Sequence, residues 1–218
     1  MSIRTLPDTA IYAVLSNTHS LDRGNIETAR QLLEAGVKII QYREKHLDDK
    51  KKHKECSVIR QLCRRLDACF IINDDAALAA AVDADGVHLG PEDVSPKDAR
   101  RLIGPDKLIG FSVTTPVEID AALSIADIDY LGVGPVFHTN TKCDVAAPGG
   151  TALLDYALRH SRLPVVAIGG IKAENIPELT RIGVRYLAMV SELIGARDIP
   201  QKVQTTREII SASKPSSA

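Results

Sequence analysis

Eight short apolar runs recur along the 218 residues, and each is followed by a helix-coded or polar segment. The runs are "IYAVLS" from Ile11, "VKIIQYRE" from Val37, "CFIIND" from Cys69, "GVHLG" from Gly86, "KLIGFSV" from Lys107, "YLGVGPVF" from Tyr130, "PVVAIGG" from Pro164 and "YLAMVS" from Tyr186. Most are short and rich in Val and Ile, which suits strands buried on both faces of a parallel sheet. The intervening segments carry helix start and stop signals. In "SPKDARRLIG", Ser95 can cap, Pro96 occupies the first turn and Gly104 supplies the stop. "IETARQLLEAG" and "AENIPELTRIG" end the same way, at Gly36 and Gly183. Eight strand-then-helix units give a period of roughly 27 residues, and such a repeat predicts a closed (β/α)8 TIM barrel.

A doubly wound open sheet alternates in the same manner, but it usually carries a GxGxxG turn after its first strand. "LSNTHSLDRGN" has none. No linker or low-complexity tract divides the chain, so residues 1–218 are expected to form one barrel domain with a core over about 11–211. Only the tail, 212–218, is expected to be disordered. The lysine run "DDKKKHK" reads as a solvated helix face.

Charge removes several function classes. With 27 basic and 28 acidic residues, nothing in bulk draws the chain to nucleic acid or to an anionic membrane surface. Trp is absent and only eight aromatic residues occur, which leaves few platforms for stacking single-stranded bases. No segment approaches a transmembrane length. The four cysteines have no CxxC spacing, and the N-terminal apolar run is too short for a secretion signal, so a reduced, cytoplasmic location is expected.

Barrels of this kind carry their chemistry at the C-terminal ends of the strands, so the strand ends form a search list. The second run ends Gln41-Tyr42-Arg43-Glu44-Lys45. Strand alternation puts Gln41, Arg43 and Lys45 on one face and Tyr42 and Glu44 on the other. If the first face lines the mouth, its two cations call for an anion. The alternative is that the strand frays early and Arg43 and Lys45 pair with Glu44 and Asp48 on the surface. The third run ends Asn73-Asp74-Asp75, and the fourth is followed by Glu92-Asp93. Asp75 reads as a helix cap and Glu92 as a solvent-facing residue. Asp74 and Asp93 together read either as further caps or as a magnesium site completed by substrate phosphates, because Mg2+ takes hard oxygen ligands and few protein carboxylates.

After the sixth run, "FHTNTK" offers Thr139 and Thr141 on one face and Lys142 as a third cation. An ordinary polar loop would look the same. Gly169 and Gly170 after the seventh run, with backbone N–H groups in "MVSELIGA" after the eighth, match the usual phosphate site of such barrels. Two anion sites result: one beside cations and carboxylates, the other built from neutral backbone donors.

These residues resemble the thiamine-phosphate synthase family. The resemblance rests on "QYREK", "NDD", "GVHLGPED", "GFSVTT", "GVGPVFHTNTK", "AIGGI" and "VSELIGA", in order over residues 11 to 196. It implies a TIM barrel transferase that joins 4-amino-2-methyl-5-hydroxymethylpyrimidine diphosphate to 4-methyl-5-(2-hydroxyethyl)thiazole phosphate. Position by position, it implies that Gln41, Tyr42, Arg43, Glu44, Lys45, Asn73, Ser112 and Lys142 surround the pyrimidine diphosphate. Asp74 and Asp93 would hold Mg2+, the implied cofactor. Thr139, Asn140, Thr141, Gly170, Val190 and Ser191 would contact the thiazole phosphate. Arg43, Lys45, Ser112 and Lys142 would act in catalysis, and His88 is either near the reacting centre or a satisfied histidine of the interior. His138 departs from the family, which usually has proline there. The partners implied are these two small substrates, with homo-oligomer formation left open. A thiazole tautomerase on the same barrel, or a non-catalytic phosphate-ligand sensor, is the competing function. Retention of the diphosphate and magnesium residues argues against both.

Overall fold

The structure, a computed structural model, describes residues 4–45, 47–139 and 147–213. Its strands are β1 Ile11–Leu15, β2 Ile39–Tyr42, β3 Cys69–Asn73, β4 Gly86–Leu89, β5 Leu108–Val113, β6 Tyr130–Val133, β7 Val165–Ile168 and β8 Tyr186–Met189. Each lies parallel to its sequence neighbour, and β8 returns to pair with β1, closing the barrel. The helices are α1 Gly24–Glu34, α2 Asp49–Arg65, α3 Ala76–Ala81, α4 Pro96–Ile103, α5 Pro116–Leu123, α6 Gly150–His160, α7 Ile176–Arg181, the short α8 Ser191–Ile194, and α9 Ile199–Ser213. Among the described residues none of them is long and apolar enough to cross a membrane.

All eight runs form strands at their expected places, with one informative difference. β2 stops at Tyr42, so Arg43, Glu44 and Lys45 lie beyond it. Its neighbour β1 ends at Leu15, whose carbonyl accepts the Arg43 N–H at 3.2 Å. Past that bond β1 turns away into a 3-10 turn at Asn17–His19, and the ladder has no partner on that side. The tail differs too: α9 continues through Ser213, beyond the expected end of the core, and residues 214–218 lie outside the described set.

Helix starts follow local chemistry. Ser95 Oγ accepts the Asp98 N–H at 3.1 Å, and the Asp75 carboxylate accepts the Leu78 N–H at 2.8 Å. Each such cap contributes about 1 kcal/mol.

Alternation along the strands divides the core in two. Outward residues such as Ile40, Phe70, Val87, Ile109, Leu131 and Leu187 pack under the helices. Inward residues including Tyr12, Ile39, Ile71, Leu108, Tyr130 and Tyr186 fill the interior, so the barrel is a packed core and not a pore.

Two matching ties close the end of the barrel opposite the mouth. Asp85, just before β4, accepts the Phe70 N–H at 2.8 Å and Arg60 of α2 at 2.6 Å through one oxygen. Asp129, just before β6, accepts the Ile109 N–H at 2.8 Å and Arg100 of α4 at 2.7 Å in the same way. Each carboxylate thereby fixes a strand start and a helix at once.

Candidate functional site

The mouth of the barrel, at the C-terminal strand ends, collects most of the residues singled out above. Asp74 follows β3 directly, and its N–H donates to the His88 carbonyl at 2.8 Å. Its backbone is left-handed, with φ of 66°, a conformation that aspartate tolerates better than most residues. That turn carries the half-buried carboxylate to Asp93, whose Oδ2 accepts the Gly90 N–H at 2.7 Å. Burial, and then the Asp93 carboxylate hydrogen-bonded to it, push Asp74 up to about 6, while Lys45 and Arg43 pull it back. Two carboxylates in contact favour a shared proton or a cation.

Arg43 and Lys45, beyond the end of β2, lie close enough to Asp74 for their charges to oppose that rise. The competing arrangement, in which they pair with Glu44 and Asp48, is not the one adopted. Asp48 caps α2 and pairs with Lys51. Glu44 accepts Asn17 N–H at 3.2 Å and Asn17 Nδ2 at 2.9 Å, tying the loop after β2 to the turn after β1.

Two of the expected residues have protein partners of their own. Glu44 is engaged as a loop brace by Asn17, just past the end of β1. Tyr42 points outward from the barrel, buried under the helices, and its hydroxyl donates to Glu55 of α2 at 2.8 Å. The alternation that turns Gln41 inward turns Tyr42 away.

Gln41 is buried inside the barrel, and its Nε2 donates to Tyr12 Oη at 2.8 Å. From there a polar chain crosses the interior below the mouth. The Tyr12 and Tyr130 hydroxyls are 2.9 Å apart, Tyr130 Oη is 3.1 Å from His88 Nδ1, and His88 Nε2 is 2.9 Å from Ser112 Oγ. His88 is a satisfied interior histidine, and its partner Ser112 is one of the residues singled out above. Asn73, in register with His88, is half-buried at the end of β3. Tyr12 and Tyr130 were not among the expected residues. Their signal was a tyrosine at an inward position of an otherwise aliphatic strand.

The second anion site is only partly described. Thr139 is half-buried and His138 exposed, while Asn140, Thr141 and Lys142 lie outside the described residues. Gly169 and Gly170 have positive φ, 101° and 65°, as a glycine turn allows. Their close neighbour is protein: a Cβ at Gly170 would stand 2.5 Å from the His138 carbonyl oxygen, and one at Gly169 would stand 2.6 Å from Pro135 Cα. The glycines are therefore required by the loop after β6 whether or not a phosphate approaches them. Val190 packs against the interior core and Ser191, exposed, opens α8.

Among the described residues no cluster of three or more His, Cys, Asp or Glu side chains gathers to hold a metal. Asp74 and Asp93 supply two carboxylates, the number a Mg2+ ion takes when phosphate oxygens complete its shell.

Comparison with known proteins places the chain among relatives. Residues 11–193 match the family model described as thiamine monophosphate synthase. The chain is 45% identical over 201 residues to thiamine-phosphate synthase of Pelotomaculum thermopropionicum, covering 92% of each chain. It is 42% identical to that of Lawsonia intracellularis, covering 93% of each. A solved thiamine phosphate pyrophosphorylase from Pyrococcus furiosus superposes with a TM-score of 0.85 at 34% identity, over 94% of this chain and 97% of that one.

Proposed function

The chain belongs to the thiamine monophosphate synthase family and is a transferase that makes thiamine phosphate, and we propose that its mouth joins the pyrimidine diphosphate to the thiazole phosphate. The observation that carries this reading is the Asp74–Asp93 pair set against Arg43 and Lys45. A site holding both two carboxylates and two cations suits a ligand that is itself a cation bound to an anion. Magnesium diphosphate is such a ligand.

In the reaction, the bond between the pyrimidine methylene carbon and the diphosphate oxygen breaks, and its electron pair leaves with diphosphate. The thiazole ring nitrogen supplies the pair for the new bond. No protein nucleophile is needed. Arg43 and Lys45, with Lys142 from the loop after β6, hold the leaving diphosphate, where negative charge grows as the bond breaks. Asp74 and Asp93 would hold Mg2+, which neutralises that same charge. Gln41 and Asn73 orient the pyrimidine end, and Ser112 faces the diphosphate. Thr139, Thr141, Gly170, Val190 and Ser191 hold the thiazole phosphate, so that its nitrogen meets the carbon as a local event. Glu44 braces the loop after β2 through Asn17, and Tyr42 anchors the end of β2 to α2 through Glu55. A cytoplasmic setting fits the free, buried thiols of Cys56, Cys63 and Cys69.

Incubation with both substrates and Mg2+ should yield thiamine phosphate and diphosphate in equal amounts. Asp93→Asn keeps an acceptor for the Gly90 N–H but removes the charge. It should cut metal-dependent turnover by about 100-fold, the scale of losing one charge-stabilising group, with the circular dichroism spectrum unchanged. Full activity in that variant would take Asp93 out of the site.

A further inference from the structure

The hydrogen-bond chain below the mouth has a direction. An amide nitrogen only donates, and each phenol owns a single hydrogen. Gln41 Nε2 gives its hydrogen to Tyr12 Oη, so the Tyr12 hydrogen passes on to Tyr130. Tyr130, having accepted, donates to His88 Nδ1. A neutral imidazole whose Nδ1 accepts carries its hydrogen on Nε2, and that hydrogen goes to Ser112 Oγ. The opposite direction would strand the Tyr12 hydrogen in a site where Tyr12 is 1% and Tyr130 0% exposed. A buried hydroxyl hydrogen without an acceptor is costly.

The interior is also cut to fit this chain. Gly110 on β5 lies between His88 and Tyr130 in the strand register. A Cβ there would stand 2.1 Å from Tyr130 Cζ and 2.4 Å from His88 Nδ1. A Cβ at Gly132 on β6 would stand 2.7 Å from His88 Cε1. Two inward positions thus lack a side chain, and the imidazole and phenol occupy the room. Burial raises the phenol pKa of both Tyr12 and Tyr130 above the ordinary tyrosine range, so both hydrogens stay in place.

We propose that Gln41, Tyr12 and Tyr130 are positioning residues that hold His88 as the neutral Nε2–H tautomer, so that Ser112 faces the substrate as a hydrogen-bond donor. The assignment deepens the function proposed above and rests on it for the identity of the ligand. Ser112 accepts from His88 and keeps its own hydrogen for the mouth, where the acceptor is an oxygen of the departing diphosphate. A donor fixed before the bond breaks strengthens as charge arrives, so its effect falls on kcat more than on KM.

Two measurements test this. Long-range 1H–15N correlation spectra of the 15N-histidine-labelled protein at pH 8, with His88 assigned by its absence in His88→Gln, should show Nε2 protonated and Nδ1 bare. A ring protonated on Nδ1 overturns the proposal, and this readout needs no substrate. For kinetics, Tyr130→Phe should lower kcat roughly ten-fold with little change in KM for the pyrimidine diphosphate, a fraction of what losing a direct donor costs. Against a Ser112→Ala background the same substitution should cost nothing more. An equal loss in both backgrounds overturns the coupling. His88→Gln, whose amide nitrogen reaches the place of Nε2, should keep more activity than His88→Asn, and the reverse order counts against the assignment. If wild-type protein makes no thiamine phosphate, the function fails while the tautomer result still stands.

Discussion

Asp74 combines a left-handed backbone, a half-buried carboxylate and a second carboxylate in contact with it. Its carboxyl group is raised in the folded chain, so between about pH 4 and pH 6 the native state binds more protons than the unfolded state. Stability from this group is therefore complete at low pH and is lost as pH rises through that window. Asp74→Asn should stabilise the ligand-free protein at pH 8 by about 1–2 kcal/mol, allowing for solvent screening at a partly exposed group. Asparagine tolerates the same left-handed backbone, so the exchange adds no strain. Urea unfolding at pH 4.5 and pH 8 checks this. The variant's advantage should be smaller at the lower pH, and an advantage that grows on acidification would contradict the carboxylate pairing. The acidic pair was visible in the sequence as acids ending two apolar runs. What was not visible was the engagement of Glu44 by Asn17, because it depends on where β1 and β2 stop.

The strand-and-helix units are held by different means at their two ends. Toward the mouth, caps such as Ser95 and Asp75 fix the helix starts, and these were legible because a cap and its target lie three residues apart. At the opposite end, Asp129 joins Ile109, Arg100 and Arg4, with its side chain only 6% exposed. Nothing local marks that role, since Arg100 is 29 residues away in sequence. Asp129→Ala would leave the Ile109 N–H without its acceptor and take the nearer of two carboxylates from the Arg100 guanidinium, and should destabilise the chain by about 3 kcal/mol. Asp83 also meets two cations, Arg64 and Lys107, but at 58% exposure. Asp83→Ala should cost less than about 1 kcal/mol. Chemical denaturation of the two variants side by side measures the difference, and equal costs would mean that burial of the tie is not what matters.

The closed barrel itself was legible because its signal is repeated: eight apolar runs and the seven connections between them agree on one topology. The relay from Gln41 to Ser112 was not, because it joins five strands across the interior, and Tyr12 meets Tyr130 over 118 positions. Gly169 and Gly170 lie between these cases, since a special turn was foreseen but its packing partner was not. That partner is the loop after β6, whose flanks are fastened to the barrel and to each other. Val136 and Phe137 donate to the carbonyls of Ile168 and Gly169 at 3.0 Å, and Gly149 and Gly150 donate back to Pro135 and Val136 at 2.9 and 3.2 Å. The flanks 135–137 and 149–150 are therefore already joined to each other, and a connection between joined ends asks little further entropy of the chain. In engineering terms the joined flanks are a socket. Replacing residues 140–146 with the equivalent stretch of a relative should leave stability within about 1 kcal/mol of the parent, and on the function proposed above it should carry the donor's thiazole preference with it. Melting curves and substrate competition on such a chimera would show whether selectivity can be exchanged without touching the barrel.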